Sequence, residues 1–433
     1  LSQPEKWDFR TTGEMKNLAV DSTLFPGPLT VTRVGFEAIP EKISLTDGET
    51  GILDASLRGS GSLHGYLEGL QKADFALQGN VGPKAIQWAS NLMDAPPELR
   101  IRSPLSISRA QGAWKNDGRV SFAADITVKD GPKVSFDMLL NPEELRIKDF
   151  LIKDRASDAS CSLTLREREL DLDFKGNLDK TTLDGLLVKN HILTGRIQGD
   201  LQAHILMDRP MRSTARGKLQ GVGIGHPLEL KIPVQIESFS LDAKGHKLNV
   251  ESALVTWGES HLNLEGDVKF SEKAFLFDMN LSADGLEWEK IEGLLKGEKG
   301  ESDLEQREDL RVPPMEGILR VKLGYFEYGT FTWRPLHADI SVDHDKIEVA
   351  VTEANLCGIS TPGIAKTTPQ GLSLHFKPAS RNQELPPALT CLLNKGEEVN
   401  ITGKFDLTGE IMGRAKPEEL VRSLRGNFEF LAR

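Results

Sequence analysis

Nine histidines, three cysteines and 64 Asp and Glu residues are the groups in this 433-residue chain that could do chemistry, and their spacing decides which chemistry is open to them. His64, His191, His204, His226, His246, His261, His337, His344 and His375 are scattered, with no HExxH and no i, i+4 pair on a helix. No metal site is encoded locally. Asp343-His344-Asp345-Lys346 sets carboxylates around an imidazole, yet it falls between two alternating apolar runs, where a polar hairpin turn is expected. Gly221-Val222-Gly223-Ile224-Gly225 lacks GxGxxG spacing, a following helix and a Walker lysine, so it reads as a bend between strands. Cys161 alternates with Leu163 and Leu165, the setting of a buried core thiol and not of a nucleophile. With Cys357 and Cys391 it makes three cysteines without CxxC spacing, enough for one disulfide at most. There is no GxSxG elbow. No catalytic residue, metal ligand or cofactor is assigned, and the expectation is a protein that is not an enzyme.

Composition narrows the classes further. Lys and Arg number 53 against 64 acidic residues, a net charge of −11 that argues against a nucleic-acid partner. Apolar residues make up 39% and the mean hydropathy is −0.31. No run approaches the roughly 20 apolar residues of a membrane-spanning helix. Three Tyr and six Trp are few for sugar-stacking platforms. The first residue is Leu1, and the chain stops at Arg433 just after a strand-like run. The expectation is a piece of a longer protein, with any signal peptide, anchor or partner strand outside it.

The elements that must position these residues are strands. Val120, Phe122, Ala124, Ile126 and Val128 alternate with more polar neighbours. After the turn residues Lys129-Asp130-Gly131-Pro132 the alternation resumes at Val134, Phe136, Met138 and Leu140, which predicts an antiparallel hairpin. Similar pairs recur: Leu262 and Leu264 face Phe275 and Phe277 in pattern, and further runs are Leu319 to Leu323, Ile347 to Val351, and Leu372 to Phe376. An apolar-x-Gly pattern recurs, as in Leu77/Gly79, Phe174/Gly176, Ile197/Gly199 and Leu264/Gly266. It is read either as bends and close backbone approaches or as ordinary turns. Short helices are expected at residues 84–93, 181–188, 287–295 and 417–424. At about 12 residues per strand and turn, on the order of 30 strands remain, too many for four short helices to cover. The chain is divided into β-rich regions at 1–178 and 179–295, a charged linker or loop at 296–312, and a β region at 313–433.

The long apolar-x-Gly strands with short intervening helices resemble the AsmA-like superfamily. The resemblance sharpens toward the C-terminus, at Leu356-Cys357-Gly358-Ile359, Pro369-Gln370-Gly371-Leu372-Ser373-Leu374, Leu389-Thr390-Cys391-Leu392-Leu393, Ile401-Thr402-Gly403 and Leu424-Arg425-Gly426-Asn427-Phe428-Glu429-Phe430. It implies a mainly β fold: an elongated, curved, antiparallel β-sheet groove with a few short helices. It also implies that Cys357 and Cys391 pair in an oxidising periplasm. The implied function is that of a periplasmic segment of a bridge-like lipid transfer protein in a diderm bacterium, anchored in the inner membrane by a segment absent from this chain. Its implied partners are phospholipids conducted toward the outer membrane, and an outer-membrane or envelope protein. Each acyl CH₂ shielded from water contributes about 0.8 kcal/mol, so a 16-carbon tail must be covered continuously, at a gross value of roughly 12 kcal/mol. Phe122, Phe136, Leu172, Phe174, Leu264, Phe277, Val321, Val349, Leu374 and Phe376 are the residues expected to face acyl chains. A β-sandwich scaffold or adhesin would bury the same residues in closed cores, and the two readings stay open at this point.

Overall fold

Alternating apolar residues give each strand one greasy and one polar side, and a run of such strands joined by tight turns zips into a meander. The computed structural model of the chain describes residues 8–21, 26–92, 96–97, 100–190, 193–224, 234–271, 274–289, 314–344, 346–368, 371–393, 401–416 and 420–433. The expected linker at 296–312 lies outside them. Contacts divide the chain into Leu1–Pro227 and Leu228–Arg433, a division inside the expected 179–295 region.

The first unit carries β1 (Thr11–Val20), β2 (Leu29–Ile39), β3 (Lys42–Ile52), β4 (Ala55–His64), β5 (Lys72–Val81), α1 (Pro83–Leu92), β6 (Leu105–Lys115), β7 (Val120–Val128), β8 (Lys133–Asn141), β9 (Glu144–Lys153), β10 (Asp158–Arg166), β11 (Glu169–Asp179), α2 (Lys180–Leu186), β12 (Leu193–Leu206) and β13 (Thr214–Ile224). Every strand pairs antiparallel with the next. The β7–β8 hairpin has the expected form, with Val120 opposite Leu140 and Ile126 opposite Val134. Gly221 to Ile224 belong to β13 and are not a bend between strands, while Gly225 is outside the described residues.

Both helices sit at one end of this sheet and are capped from it. Asp54, in the turn between β3 and β4, accepts hydrogen bonds from the backbone N–H groups of Lys84 and Ala85, each at 2.9 Å, at the start of α1. Asp179 caps α2, accepting from the N–H and hydroxyl of Thr181 at 3.0 and 2.8 Å. The buried Thr182 hydroxyl donates to Asp154 Oδ1 at 2.9 Å and lies 2.6 Å from Ser157 Oγ, tying α2 to the β9–β10 turn. Those Thr181 hydrogen bonds, and then the Arg196 guanidinium, hold the Asp179 carboxyl below its ordinary value of 3.8. A depressed carboxyl stabilises the fold above its unfolded value, and that contribution is lost as pH falls through the folded value. In urea unfolding followed from about pH 5 to about pH 2.5, the wild type should lose a component of stability below about pH 4 that Asp179→Asn lacks. Parallel acid profiles for the two proteins would contradict this.

The second unit holds β14 (Val234–Gly245), β15 (Lys247–Trp257), β16 (Ser260–Phe270), β17 (Phe275–Glu287), β18 (Met315–Tyr328), β19 (Phe331–Asp343), β20 (Lys346–Leu356), β21 (Ile359–Ser360), β22 (Gly363–Thr368), β23 (Gly371–Phe376), β24 (Ala379–Glu384), α3 (Leu385–Leu393), β25 (Lys404–Ala415), α4 (Leu420–Ser423) and β26 (Arg425–Ala432). The sheet is mixed, which corrects the antiparallel expectation: β17 and β18 run parallel, Phe275 beside Met315 and Leu281 beside Val321. Parallel neighbours cannot be joined by a tight turn, and the connection here is long. The β16–β17 hairpin forms, but its tight turn sets Phe270 opposite Phe275, so Leu262 and Leu264 face Ala283 and Leu281 and not Phe275 and Phe277 as expected. Between β20 and β25 the strands are broken into short pieces: β21 and β22 flank Pro362, β23 and β24 flank Pro378, and proline has no N–H for a ladder. Of the expected helix at 287–295, Glu287 ends β17, Trp288 and Glu289 are helical, and the rest lies outside the described residues. The sequence reading missed α3, which carries Pro386 and Pro387 in its first turn, where a missing N–H costs nothing.

Candidate functional site

Register decides which side chains share a face, because directly paired residues point the same way. In the first unit one row runs Leu77, Ala110, Ala124, Phe136, Phe150, Cys161, Phe174 and Leu201 across eight consecutive strands. A neighbouring row runs Phe75, Gly112, Phe122, Met138, Ile147, Leu163, Leu172 and Ala203. Neither row contains a charged residue. The four candidates of this unit, Phe122, Phe136, Leu172 and Phe174, therefore share one apolar face, and all four are half-buried. The Phe122 ring lies 5.4 Å from that of Phe136 and 6.2 Å from that of Phe75. The Phe75 ring occupies the space where a side chain at Gly112 would stand, 2.3 Å from its Cβ position.

Burial on this face is graded along the strands. At the helix end the row Ile126, Val134, Ile152 and Ala159 is 8, 3, 2 and 4% exposed. At the far end Trp114, Leu140 and Ile205 of a single row are 39, 41 and 37% exposed. The face is thus shut at one margin and open at the other. Gly176 and Gly199 lie opposite each other in mid-strand, at φ +112° and +155°, and a Cβ on either would stand 2.1 and 2.2 Å from the carbonyl oxygens of Asp158 and Lys218. For these two glycines the repeated pattern marks close backbone approach within the sheet, not turns.

The reverse face is polar and laced across strands: Lys175 with Asp200 at 3.4 Å, Arg109 with Asp125 at 2.8 Å, Asp171 with His204 at 2.6 Å, and Gln202 donating to Asp173 at 2.9 Å. Two hollows, of about 480 and 730 Å³, open over this polar face. Arg33, Glu49, Arg58 and Arg109 line the first, where Glu49 takes Arg58 at 3.1 Å and Arg33 at 3.9 Å. Ser44, Ser62, Asp74, Asp137 and Lys148 line the second. Arg109 is held by Asp125, and in the second hollow Asp74 takes Lys72 at 2.9 Å and the Ser62 hydroxyl at 3.1 Å, with Ser62 Oγ 3.1 Å from His64 Nε2, a polar cluster laid across paired strands of this open face.

The second unit repeats the arrangement. Its longest row runs Phe239, Ala253, Leu264, Leu281, Val321, Ala338, Val351, Gly363, Phe376, Ile411 and Gly426. The next two rows on one side of it bring in Val349 and Leu374 through Ala365, and Phe277 through Val268 and Gly317. All six candidates of this unit thus share one face. Val321 is buried at 7% and the other five are half-buried. Val321 packs with Leu286 and Leu323 into a small core that Trp257, Leu281, Phe326 and Leu336 complete. The reverse face again pairs charges: Lys366 with Glu348 at 2.8 Å, His375 with Glu410 at 2.6 Å, and Arg320 with Asp278.

Cys357 and Cys391 are disulfide-bonded, with Cα atoms 5.6 Å apart, and the bond fastens α3 to the turn between β20 and β21. From there Ala388 packs on Ile359 and Phe405, with Leu385, Leu392 and Leu407 around them. The helix covers one end of the apolar face, a role that sequence reasoning did not give it. Cys161 is free and half-buried in the middle of its row. Burial, and after it the charge of Asp173, pushes its thiol pKa up, so it is no thiolate at neutral pH. Glu316, Asp343 and His344 bring ligand atoms within 4.8 Å of one another at the open β19–β20 turn, where the His344 ring beside Asp343 holds that carboxyl below its ordinary range. Asp345 is outside the described residues. Two of the three are exposed and the group is already internally hydrogen-bonded and ion-paired, so the turn explains it.

No described helix is long and apolar enough to cross a membrane. Set against protein-family models, curated proteins and solved structures, the chain matches none.

Proposed function

We propose that the chain is a non-enzymatic lipid-shielding segment, in which the apolar faces of the two units hold the acyl chains of phospholipids while headgroups stay in water beyond the open margin. The observation that carries this reading is the set of uninterrupted apolar rows. They cross eight strands of the first unit and eleven of the second, yet their large side chains are only half withdrawn from solvent. Among the described residues Phe405 is the one fully buried aromatic side chain. A closed sandwich core would withdraw rings such as Phe122 and Phe174 as well. Rows of Leu, Val, Ile and Phe without a deep pocket favour sliding over fixed binding. The polar hollows on the reverse face offer the tails nothing.

The disulfide suits an oxidising compartment, and with the likeness to AsmA-like proteins it supports a periplasmic setting. In this reading the parent protein is anchored in the inner membrane of a diderm bacterium, and the segment conducts phospholipids toward the outer membrane in support of its biogenesis.

The test is a face-by-face contrast. Photocrosslinkers at Phe122, Phe174, Leu264 and Val349 should capture phospholipid in cells, whereas those at Ser121, Lys175, Glu265 and Glu348, on the reverse face, should not. Native mass spectrometry of the purified chain should show phospholipid that is lost in Phe174→Asp with the fold intact by circular dichroism. Equal capture from both faces, or a folded chain free of lipid, would leave a structural scaffold as the better reading.

A further inference from the structure

Burial on the apolar face of the second unit falls away toward one end of its strands. Along β18, Val321 and Leu323 are 7 and 3% exposed, Phe326 is half-buried and Tyr328 is 49% exposed; across the tight turn at Gly329 (φ +60°), Phe331 is 39% exposed. Phe326 pairs directly with Leu286 and with Trp333, and Tyr328 pairs with Phe331. Phe326 also packs on the core of Leu286, Val321 and Leu323. Alternation therefore puts Phe326, Tyr328, Phe331 and Trp333 on the apolar face, as its outermost lip. Trp288 joins them, its ring 6.1 Å from that of Tyr328. The rings of Phe326 and Phe331 lie 6.1 and 6.3 Å from that of Trp333.

The lip gathers amphipathic rings and keeps charge behind them. Three of the six Trp and two of the three Tyr residues, Trp257, Trp288, Trp333, Tyr325 and Tyr328, stand at this one end of β15 to β19. The Trp333 indole N–H donates to Thr361 Oγ1 at 3.1 Å. Among the described residues the Tyr328 hydroxyl and the Trp288 indole N–H have no hydrogen-bond partner. The tip is held in place, since the ladder runs out to Tyr328 and Phe331 and the Gly329 N–H donates to Glu289 Oε1 at 3.1 Å. Between Phe326 and Trp333 the one charged residue is Glu327, which alternates to the reverse side, where it pairs with Glu287 and Thr332. On that side too the Arg334 guanidinium stands 5.5 Å from the centre of the Tyr325 ring.

We propose that this lip docks at the headgroup level of a phospholipid bilayer, with Tyr328 and Phe331 inserted and Trp288 and Trp333 flanking them. Trp and Tyr favour that level because the ring is apolar while the hydroxyl or N–H stays wet, and here two such polar groups are unengaged beside exposed rings. Area argues against a protein partner: Tyr328 and Phe331 leave on the order of 100 Å² each exposed. A stable protein contact takes about 800 Å² per partner. Charge selects the lipid. With no cation on the aromatic side and carboxylates behind it, the lip suits a zwitterionic surface and gains nothing from an anionic one. The docking does not rest on acyl chains filling the faces, and a chain purified free of phospholipid should dock as well.

The experiment uses the 433-residue chain. It should float with vesicles of phosphatidylcholine and phosphatidylethanolamine, and raising salt from about 50 to about 500 mM should change the bound fraction by less than about twofold. Tyr328→Ser combined with Phe331→Ser should weaken binding by roughly tenfold or more with the fold intact by circular dichroism, whereas Tyr328→Trp combined with Phe331→Trp should keep it. An environment-sensitive fluorophore on Phe331→Cys, in a Cys161→Ala background, should shift to the blue when vesicles are added; on Lys322→Cys, on the reverse face of β18, it should not. A chain that stays unbound, or a double serine variant that binds as well as the wild type, overturns the inference. Binding that high salt abolishes does so too, since charge would then carry it. So does a fluorophore at position 331 that reports an apolar setting before vesicles are added, which would mean that the protein itself covers the lip.

Discussion

Cys357→Ser combined with Cys391→Ser should cost the second unit about 4 kcal/mol of unfolding free energy. The bond closes a loop across a sequence separation of 34, and loop-closure entropy for that length gives a value of this order. The loss should be local. Hydrogen exchange should quicken in α3 and at the start of β25, where Ala388 and Phe405 meet, and leave the first unit unchanged. A denaturation midpoint unmoved by the double substitution would mean that the packing of Leu385, Ala388 and Leu392 holds the helix without the covalent tie. Because α3 covers one end of the apolar face, the same variant should also expose more of that face to hydrophobic dyes.

Gly176→Ala should cost about 3 kcal/mol, more than a buried glycine-to-alanine exchange in an ordinary strand, where alanine would be neutral or better. Two effects add. The φ of +112° is a conformation that a side chain resists, and the new Cβ would stand 2.1 Å from the Asp158 carbonyl oxygen and 2.9 Å from the Ala159 Cα. Gly69 separates them, since its φ is +123° and nothing lies within 4 Å of its Cβ position. Gly69→Ala should therefore cost only about 1 kcal/mol, the backbone part. Equal losses at the two sites, measured by urea unfolding, would refute the close-approach account of the apolar-x-Gly pattern.

Much of this architecture was legible in the sequence, because period-two alternation reports directly on a half-buried strand. The run from Val120 to Leu140 names its own turn and register, and the structure has both. Alternation also separates the apolar from the polar positions strand by strand, and the ten candidates are all on the apolar side. It could not say that four of them share one face and six another, since that follows from register between strands, and bulges such as the one between Cys161 and Leu163 reset register without a sequence mark. Direction was equally hidden: Phe275 and Met315 read alike whether their strands run parallel or antiparallel. The helix at Leu385–Leu393 was not among those expected, and its two prolines stand in the first turn, where a helix accepts them. The reach of α3 onto Phe405 depends on a contact between distant segments that no local pattern encodes.

The parallel pairing of β17 with β18 bears on how the second unit assembles in time. Every hairpin in that sheet can close by a short search, as Phe270 finds Phe275 across a few residues. Met315 must find Phe275 across a much longer stretch of chain, and that encounter loses more loop entropy before any ladder bond forms. The meander β14–β17 and the strands from β18 onward should therefore zip early as separate halves, and their docking should set the folding rate. Shortening the connection should speed refolding with little change in the unfolding rate, which makes this seam the slow step of an otherwise local fold.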